Sequence, residues 1–219
     1  MILIDSADMQ EVREAVELGF VRGCTTNPAL MAKVGDEPAK VIEEICQVVP
    51  GPVFYQLTKG SVEEREVEAK EFYEIAPDKV VLKVPMTTEN MGLVTRLVPE
   101  IPCAATAVFS AHQTVLAIEA GCTYVIPYVN RATRLLGDGL KLVREMLEVI
   151  RAAGRPVEIV AASIKSPEEA AGAFLAGAHH LTLPLDVILN LGEHRFSRDA
   201  IAEFDRVIKE RNGFESSGW

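Results

Sequence analysis

The chain has 219 residues, a formal net charge of −10, and 48% hydrophobic and 25% charged residues. That balance excludes a disordered chain, and the acidic surplus argues against general nucleic-acid or anionic-membrane binding, both of which need positive charge. The length suits a single α/β barrel domain, which buries roughly 70% of the surface its unfolded chain exposes. The first apolar run, residues 1–5, reads as a strand ending on Asp5; the opening MILIDSAD lacks the basic and long apolar regions of a secretory signal. A helix is predicted at 9–18, closed by Gly19, then a strand at 23–26, a helix at 38–49 and a strand at 53–57. Ser61-Val-Glu-Glu64 is a capping box opening a helix at 62–75, followed by a strand at 80–85 and a helix at 89–98. The strand at 103–109 leads to Ser110 and Gln113, which open a helix at 111–120 closed by Gly121. A strand at 124–129 precedes helical periodicity over 134–153, with Gly137-Asp-Gly139 as a loop and Gly154 as the stop. The strand at 157–163 is followed by Ser166, Pro167 and Glu169, the opening of a helix at 167–176 closed by Gly177. A strand at 180–185 and a helix at about 197–211 complete the pattern.

Eight strands alternating with helices require parallel pairing, and runs such as VVLKVP and VEIVAAS, apolar on both faces, suit a covered parallel sheet. An open doubly wound sheet competes with a closed barrel. No G-x-G-x-x-G follows a strand and no Walker A motif occurs, and eight units in this length favour the barrel. The expected fold is therefore α/β: a single (β/α)8 TIM barrel with an extra C-terminal helix over residues 1–212 and a flexible tail at 213–219. No apolar run is long enough for a membrane span. Cys24, Cys46, Cys103 and Cys122 form no C-x-x-C pair and read as buried reduced thiols of a cytoplasmic protein rather than as a zinc site or a disulfide framework.

Active sites of such barrels form at the carboxyl ends of the strands. There the sequence delivers Asp5, Asn27, Gln56, Lys83, Thr106, Tyr128 and Ser163, one from each of the first seven strands. Alternation places Lys83 with Val81, Tyr128 with Ile126, and Ser163 with Ala161 and Ile159 on faces that suit the barrel interior. Lys83 is the sharpest feature, because it lies in an apolar strand without an adjacent acid, and lysine is rarely buried unpaired. Its plainer readings are a solvent-facing amine or a pair with Asp5. Its chemical reading is a desolvated amine of lowered pKa, able to attack a carbonyl and form a Schiff base. Gln56, Thr106 and Tyr128 are candidates for positioning a water and shuttling protons, and Asp5 for orienting substrate hydroxyls. Tyr128 also reads as packing, Asp5 as a strand-end cap and Asn27, before Pro28, as a turn residue. Arg131, with Ser163, suits a phosphate near the last strands, where an isolated loop arginine would otherwise be solvated surface; Lys165 is a weaker source of charge. His179-His180, His112 and His194 offer no metal-ligand set.

Asp5, Thr25-Thr-Asn-Pro28, Val81-Leu-Lys-Val-Pro85, Ala104-Ala-Thr-Ala107, Ile126-Pro-Tyr-Val-Asn-Arg131, Ala161-Ala-Ser-Ile-Lys165 and Leu181-Thr-Leu-Pro-Leu-Asp186 together resemble the small transaldolase family, in order and over nearly the whole chain. The resemblance implies a (β/α)8 class I aldolase with its Schiff-base lysine at Lys83 and no metal or cofactor. Within that family, Gln56, Pro127-Tyr-Val-Asn-Arg131 and Ser163-Ile-Lys165 resemble fructose-6-phosphate aldolases rather than transaldolases, which carry Glu, Pro-Phe-Val-Gly-Arg and Ser-x-Arg there. The implied reaction is reversible cleavage of fructose 6-phosphate to dihydroxyacetone and glyceraldehyde 3-phosphate. Asp5 and Asn27 would hold the dihydroxyacetone hydroxyls, and Arg131 and Ser163 the phosphate. The alternatives are a transaldolase, moving the dihydroxyacetone unit between phosphosugars, and a catalytically silent barrel that binds phosphosugars. Cys24 and Ala132-Thr-Arg134 depart from the family pattern. The expected partners are small phosphosugar, ketone or aldehyde substrates, and further copies of the chain in a decamer of two pentamer rings, the C-terminal helix packing on a neighbour.

Overall fold

A computed structural model describes residues 1–58 and 60–215, with side chains as far as Lys209. Eight parallel strands close into a barrel in sequence order: β1 Ile2–Asp5, β2 Val21–Thr25, β3 Val53–Gln56, β4 Val80–Pro85, β5 Cys103–Val108, β6 Tyr124–Pro127, β7 Glu158–Ala161 and β8 His180–Leu183. Closure is made where β8 meets β1, with Leu3 opposite Thr182. The intervening helices are α1 Met9–Glu17, α2 Pro28–Val34, α3 Pro38–Val48, α4 Val62–Ile75, α5 Thr88–Leu97, α6 Ala111–Glu119, α7 Val129–Leu136, α8 Gly139–Ala153, α9 Pro167–Leu175 and α10 Leu185–Asn190. No helix among the described residues is long and apolar enough to cross a membrane.

The chain divides into two compact units. The first, Met1–Ile188, holds the barrel; the second starts at Leu189 and contains α11, Arg195–Glu215. The tail expected from 213 on is helical in α11 as far as Glu215, and 216–219 lie outside the described residues.

Alternation fills the barrel interior. Leu3, Phe54, Val81, Ala104, Ile126, Val160 and Ala162 form one buried cluster, with Tyr124 and Tyr128 packed on it. Two residues beyond Leu3, Phe54, Val81 and Ala104 stand Asp5, Gln56, Lys83 and Thr106, on the same inward face and nearer the carboxyl ends. The opposite strand face and the helices supply a second buried layer that includes Ile4, Leu82, Ile42, Ile45, Met91 and Met146, all fully buried. Each such side chain contributes about 1.5–3 kcal/mol by leaving water. The capping box at Ser61 is present, and Gly19, Gly121, Gly154 and Gly177 all take positive φ where their helices end.

Strand 7 corrects the predicted parity: Val160 and Ala162 face the interior, not Ile159 and Ala161. A strand apolar on both faces carries no alternation to read. The strand ends at Ala161, and Ser163 lies beyond it with φ +59°, so it leaves the alternation altogether. Strand 6 likewise stops at Pro127, and Tyr128 caps α7. The single helix expected over 134–153 is two, α7 and α8, parted at Gly137 and Asp138; Asp138 caps α8 by accepting from the Lys141 N–H.

Candidate active site

Lys83 projects from the centre of β4 into the barrel and is only 4% exposed. Its Nζ donates to the Thr26 carbonyl at 2.8 Å. Burial holds its pKa below the ordinary lysine range, with Asp5 and Cys24 pulling weakly the other way. The solvent-facing reading is thereby excluded, and the amine's hydrogen bond goes to a carbonyl rather than to a carboxylate. Lys83 opens onto a cavity of about 440 Å³ that Asp5, Asn27, Gln56, Tyr128, Arg131 and Ser163 also line. Seven of the eight predicted site residues therefore share one cavity wall.

Each is held by its own local structure. Asp5 accepts from Thr25 Oγ1 at 2.9 Å, and Thr25 in turn contacts Thr182 Oγ1 at 2.5 Å, so a buried threonine pair from β2 and β8 fixes the carboxylate. Asn27 caps α2: its Oδ1 accepts from the Ala29 and Leu30 N–H groups at 3.0 and 3.1 Å. Asn27 is thus a helix cap rather than the plain turn residue expected, and this leaves the amide Nδ2 as the group that it can offer a ligand. Gln56 stands opposite Lys83 in the β3–β4 register, and its Oε1 is buried with no hydrogen-bond partner among the described residues. An unpaired buried acceptor is costly to folding, so an O–H or N–H donor brought into the cavity gains most here.

Thr106, the eighth predicted residue, is fully buried and lies off the cavity wall; it reaches the site through Tyr128, whose hydroxyl stands 3.2 Å from Thr106 Oγ1. The Tyr128 ring is fixed edge-on by Phe109 and covered by the Arg131 guanidinium 5.0 Å from its centre. Arg131 sits in the first turn of α7 rather than in a loop. Lys165 joins Ser163 on the cavity wall. Beside the site, Ala107 takes φ +57° where the β5–β6 register shifts, a bulge that ends the alternation just after Thr106.

Sequence reasoning missed Thr25 and Thr182. Parity from Gly23 and His180 would have turned both inward, but threonine is so common in strands that its presence alone marks nothing. All four cysteines are buried and free. Burial lifts the thiols of Cys46 and Cys122 to about 11 and about 12, and those of Cys24 and Cys103 further, which makes them inert.

A polar cavity at the carboxyl ends of eight parallel strands, floored by a dehydrated amine, defines a barrel of the enzyme type. The chain matches the sequence family described as transaldolase/fructose-6-phosphate aldolase over residues 2–216. It is 41% identical to "Probable transaldolase 1" of Bacillus cereus over 202 residues, 92% of this chain and 94% of that one. It is 39% identical to "Probable transaldolase" of Methanococcus vannielii over the same share of each chain, and 35% identical to that of Clostridium botulinum over 97% of this chain and 98% of the other. Among solved structures, one described as a lactate oxidase of Pediococcus acidilactici shares the fold at a TM-score of 0.62 and 13% identity, covering 87% of this chain and 64% of that one. The chain therefore belongs to the transaldolase/fructose-6-phosphate aldolase family, an enzyme family.

Proposed function

We propose that the protein is a class I aldolase that reversibly cleaves fructose 6-phosphate, a cytoplasmic enzyme working through a Schiff base on Lys83. The observation that carries this reading is the Lys83 amine, 4% exposed, biased to its neutral form by burial and facing a polar cavity. Neutral Nζ attacks C2 of the ketose, and the carbinolamine loses water to give an iminium. A water between Gln56 and Tyr128 takes the proton of the C4 hydroxyl. The C3–C4 bond breaks, its electron pair flows into the iminium to form the enamine, and glyceraldehyde 3-phosphate leaves. Protonation at C3 and hydrolysis then release dihydroxyacetone and restore the amine. The iminium is itself the electron sink, so the scheme calls for no metal or cofactor. Asp5 and the Asn27 amide would hold the hydroxyls of the donor, Arg131 and Ser163 the phosphate, and Thr106 would orient the Tyr128 hydroxyl.

The names of the relatives favour a second reading, transfer of the dihydroxyacetone unit to another aldose phosphate. The two share every step as far as the enamine and part at its protonation. Tyr128 and Gln56, in place of Phe and Glu, supply a donor for that proton and support the lyase. Incubation with dihydroxyacetone and glyceraldehyde 3-phosphate tests it: the lyase makes fructose 6-phosphate directly. Product seen only when a ketose phosphate replaces dihydroxyacetone establishes the transferase instead. By family likeness the working form is a homo-oligomer, a decamer of two pentamer rings.

A further inference from the structure

We propose that Glu169 is a positioning residue for the anion end of the site and that, through it, the protein selects phosphorylated over uncharged aldehydes. This deepens the reading above, which puts the substrate phosphate on Arg131 and Ser163. Pairing between β6 and β7 continues past both strand ends: the Val129 N–H donates to the Ala162 carbonyl at 2.8 Å, and the Asn130 N–H to the Ser163 carbonyl at 3.1 Å. The start of α7 and the loop after β7 are then joined by one carboxylate. Asn130 Nδ2 donates to Glu169 Oε1 at 2.6 Å, and the Lys165 N–H donates to Oε2 at 2.8 Å. Glu169 is itself fixed at the start of α9, its N–H donating to Ser166 Oγ. One oxygen thus braces the segment that carries Arg131, and the other the segment that carries Ser163 and Lys165.

The brace has something to hold. Ser163 sits at φ +59°, a conformation that a non-glycine residue keeps only when its surroundings impose it. Arg131, in the first turn of α7, and Lys165, between β7 and α9, are exposed side chains on separate segments, and their joint action on one anion depends on the spacing of those segments. The sign of the effect separates this role from plain electrostatics. A carboxylate beside an anion site repels the anion, so if charge alone mattered, removing Glu169 would strengthen phosphate binding. Bracing predicts the reverse.

The test compares wild type with Glu169→Ala, Glu169→Gln and Asn130→Ala, the last leaving the cap of α9 untouched. Dihydroxyacetone addition is followed with glyceraldehyde 3-phosphate and with glyceraldehyde, and binding of inorganic phosphate is measured by calorimetry. For Glu169→Ala and Asn130→Ala, the KM for the phosphorylated aldehyde is expected to rise about tenfold, equivalent to about 1.4 kcal/mol. The kcat with either aldehyde and the kcat/KM for glyceraldehyde stay within about twofold, and phosphate binds about tenfold more weakly. Glu169→Gln keeps one acceptor and falls between. Equal losses on both aldehydes, no change on either, or tighter phosphate binding overturns the proposal. Phosphate binding needs no turnover. A wild type that makes no product from either aldehyde therefore refutes the lyase, while Glu169 is still judged on the calorimetry; failure of wild type to bind phosphate refutes Glu169.

Discussion

Lys83 makes folding and chemistry compete. Its amine is dehydrated, so the folded-state pKa lies below the unfolded value of about 10.4, and the unfolded chain binds more protons between the two. Stability therefore rises with pH across that window, and the full penalty is present below the folded-state pKa. Lys83→Met is expected to abolish turnover while raising Tm by about 2–4 °C for each kcal/mol of penalty relieved. That gain should be greatest at low pH and fade as the pH nears 10; a melting series against pH checks it, and an unchanged gap across the series would refute the dehydrated amine. Borohydride with dihydroxyacetone should leave a mass adduct on Lys83 in wild type alone. Tyr128→Phe removes the hydroxyl that Thr106 holds and should lower dihydroxyacetone release about 10²-fold, within the range of a lost proton donor, while the borohydride adduct still forms. Loss of the adduct as well would place Tyr128 in Schiff-base formation instead. These residues are legible in the sequence because each is a lone polar group within or just beyond an apolar strand. The partners that fix them are not: Thr25 and Thr182 look like ordinary strand residues, and the Thr26 carbonyl that receives the Lys83 hydrogen bond has no side-chain signal at all.

At the scale of elements, two glycines show how a backbone setting reverses the usual preference. Both sit in helices, where Ala is favoured over Gly by about 0.5–1 kcal/mol. At Gly92 in α5 an added Cβ meets nothing within 4 Å, so Gly92→Ala should stabilise by about that amount. At Gly139, where α8 leaves α7, a Cβ would lie 2.2 Å from the Val129 carbonyl oxygen and 2.8 Å from Thr133 Oγ1. Backbone would have to move, and overpacking typically costs 1–3 kcal/mol, so the clash wins and Gly139→Ala should destabilise by about 1–3 kcal/mol. Urea midpoints for the two variants should move in opposite directions, and a stabilising Gly139→Ala would contradict the α7–α8 geometry. The same junction explains what the sequence reveals and hides. Caps at Ser61, Ser110 and Ser166 are readable because a polar residue precedes a periodic stretch. The short α2 and α10 leave no such signal, because six or seven residues are too few to show a period. The strand expected over 124–129 overruns β6 because Tyr128 and Val129 are strand formers, although Val129 is already helical.

For the whole molecule, barrel closure follows from eight similar units, while α11 belongs to the second unit and carries apolar side chains of its own. Phe196, Ile201, Phe204, Val207 and Ile208 are all more than half exposed, although hiding a side chain of this kind contributes about 1.5–3 kcal/mol. Residues 201, 204 and 208 are spaced three and four apart and so fall on one helical face. An exposed apolar face of this extent marks an interaction surface, and the homo-oligomer of the proposed function would supply another copy as its partner. The net charge of −10 opposes association only over about 8–10 Å at physiological salt, so contact burial should prevail. The double change Phe204→Glu and Ile208→Glu buries two carboxylates in such an interface and should lower the assembly mass measured by light scattering. The helix itself should persist, since glutamate is a good helix former. Because the proposed catalytic residues all belong to the barrel unit, aldol turnover per chain should survive in the smaller species. An unchanged mass would show that α11 is not the contact, and a wild type already monomeric would remove the homo-oligomer from the proposed function.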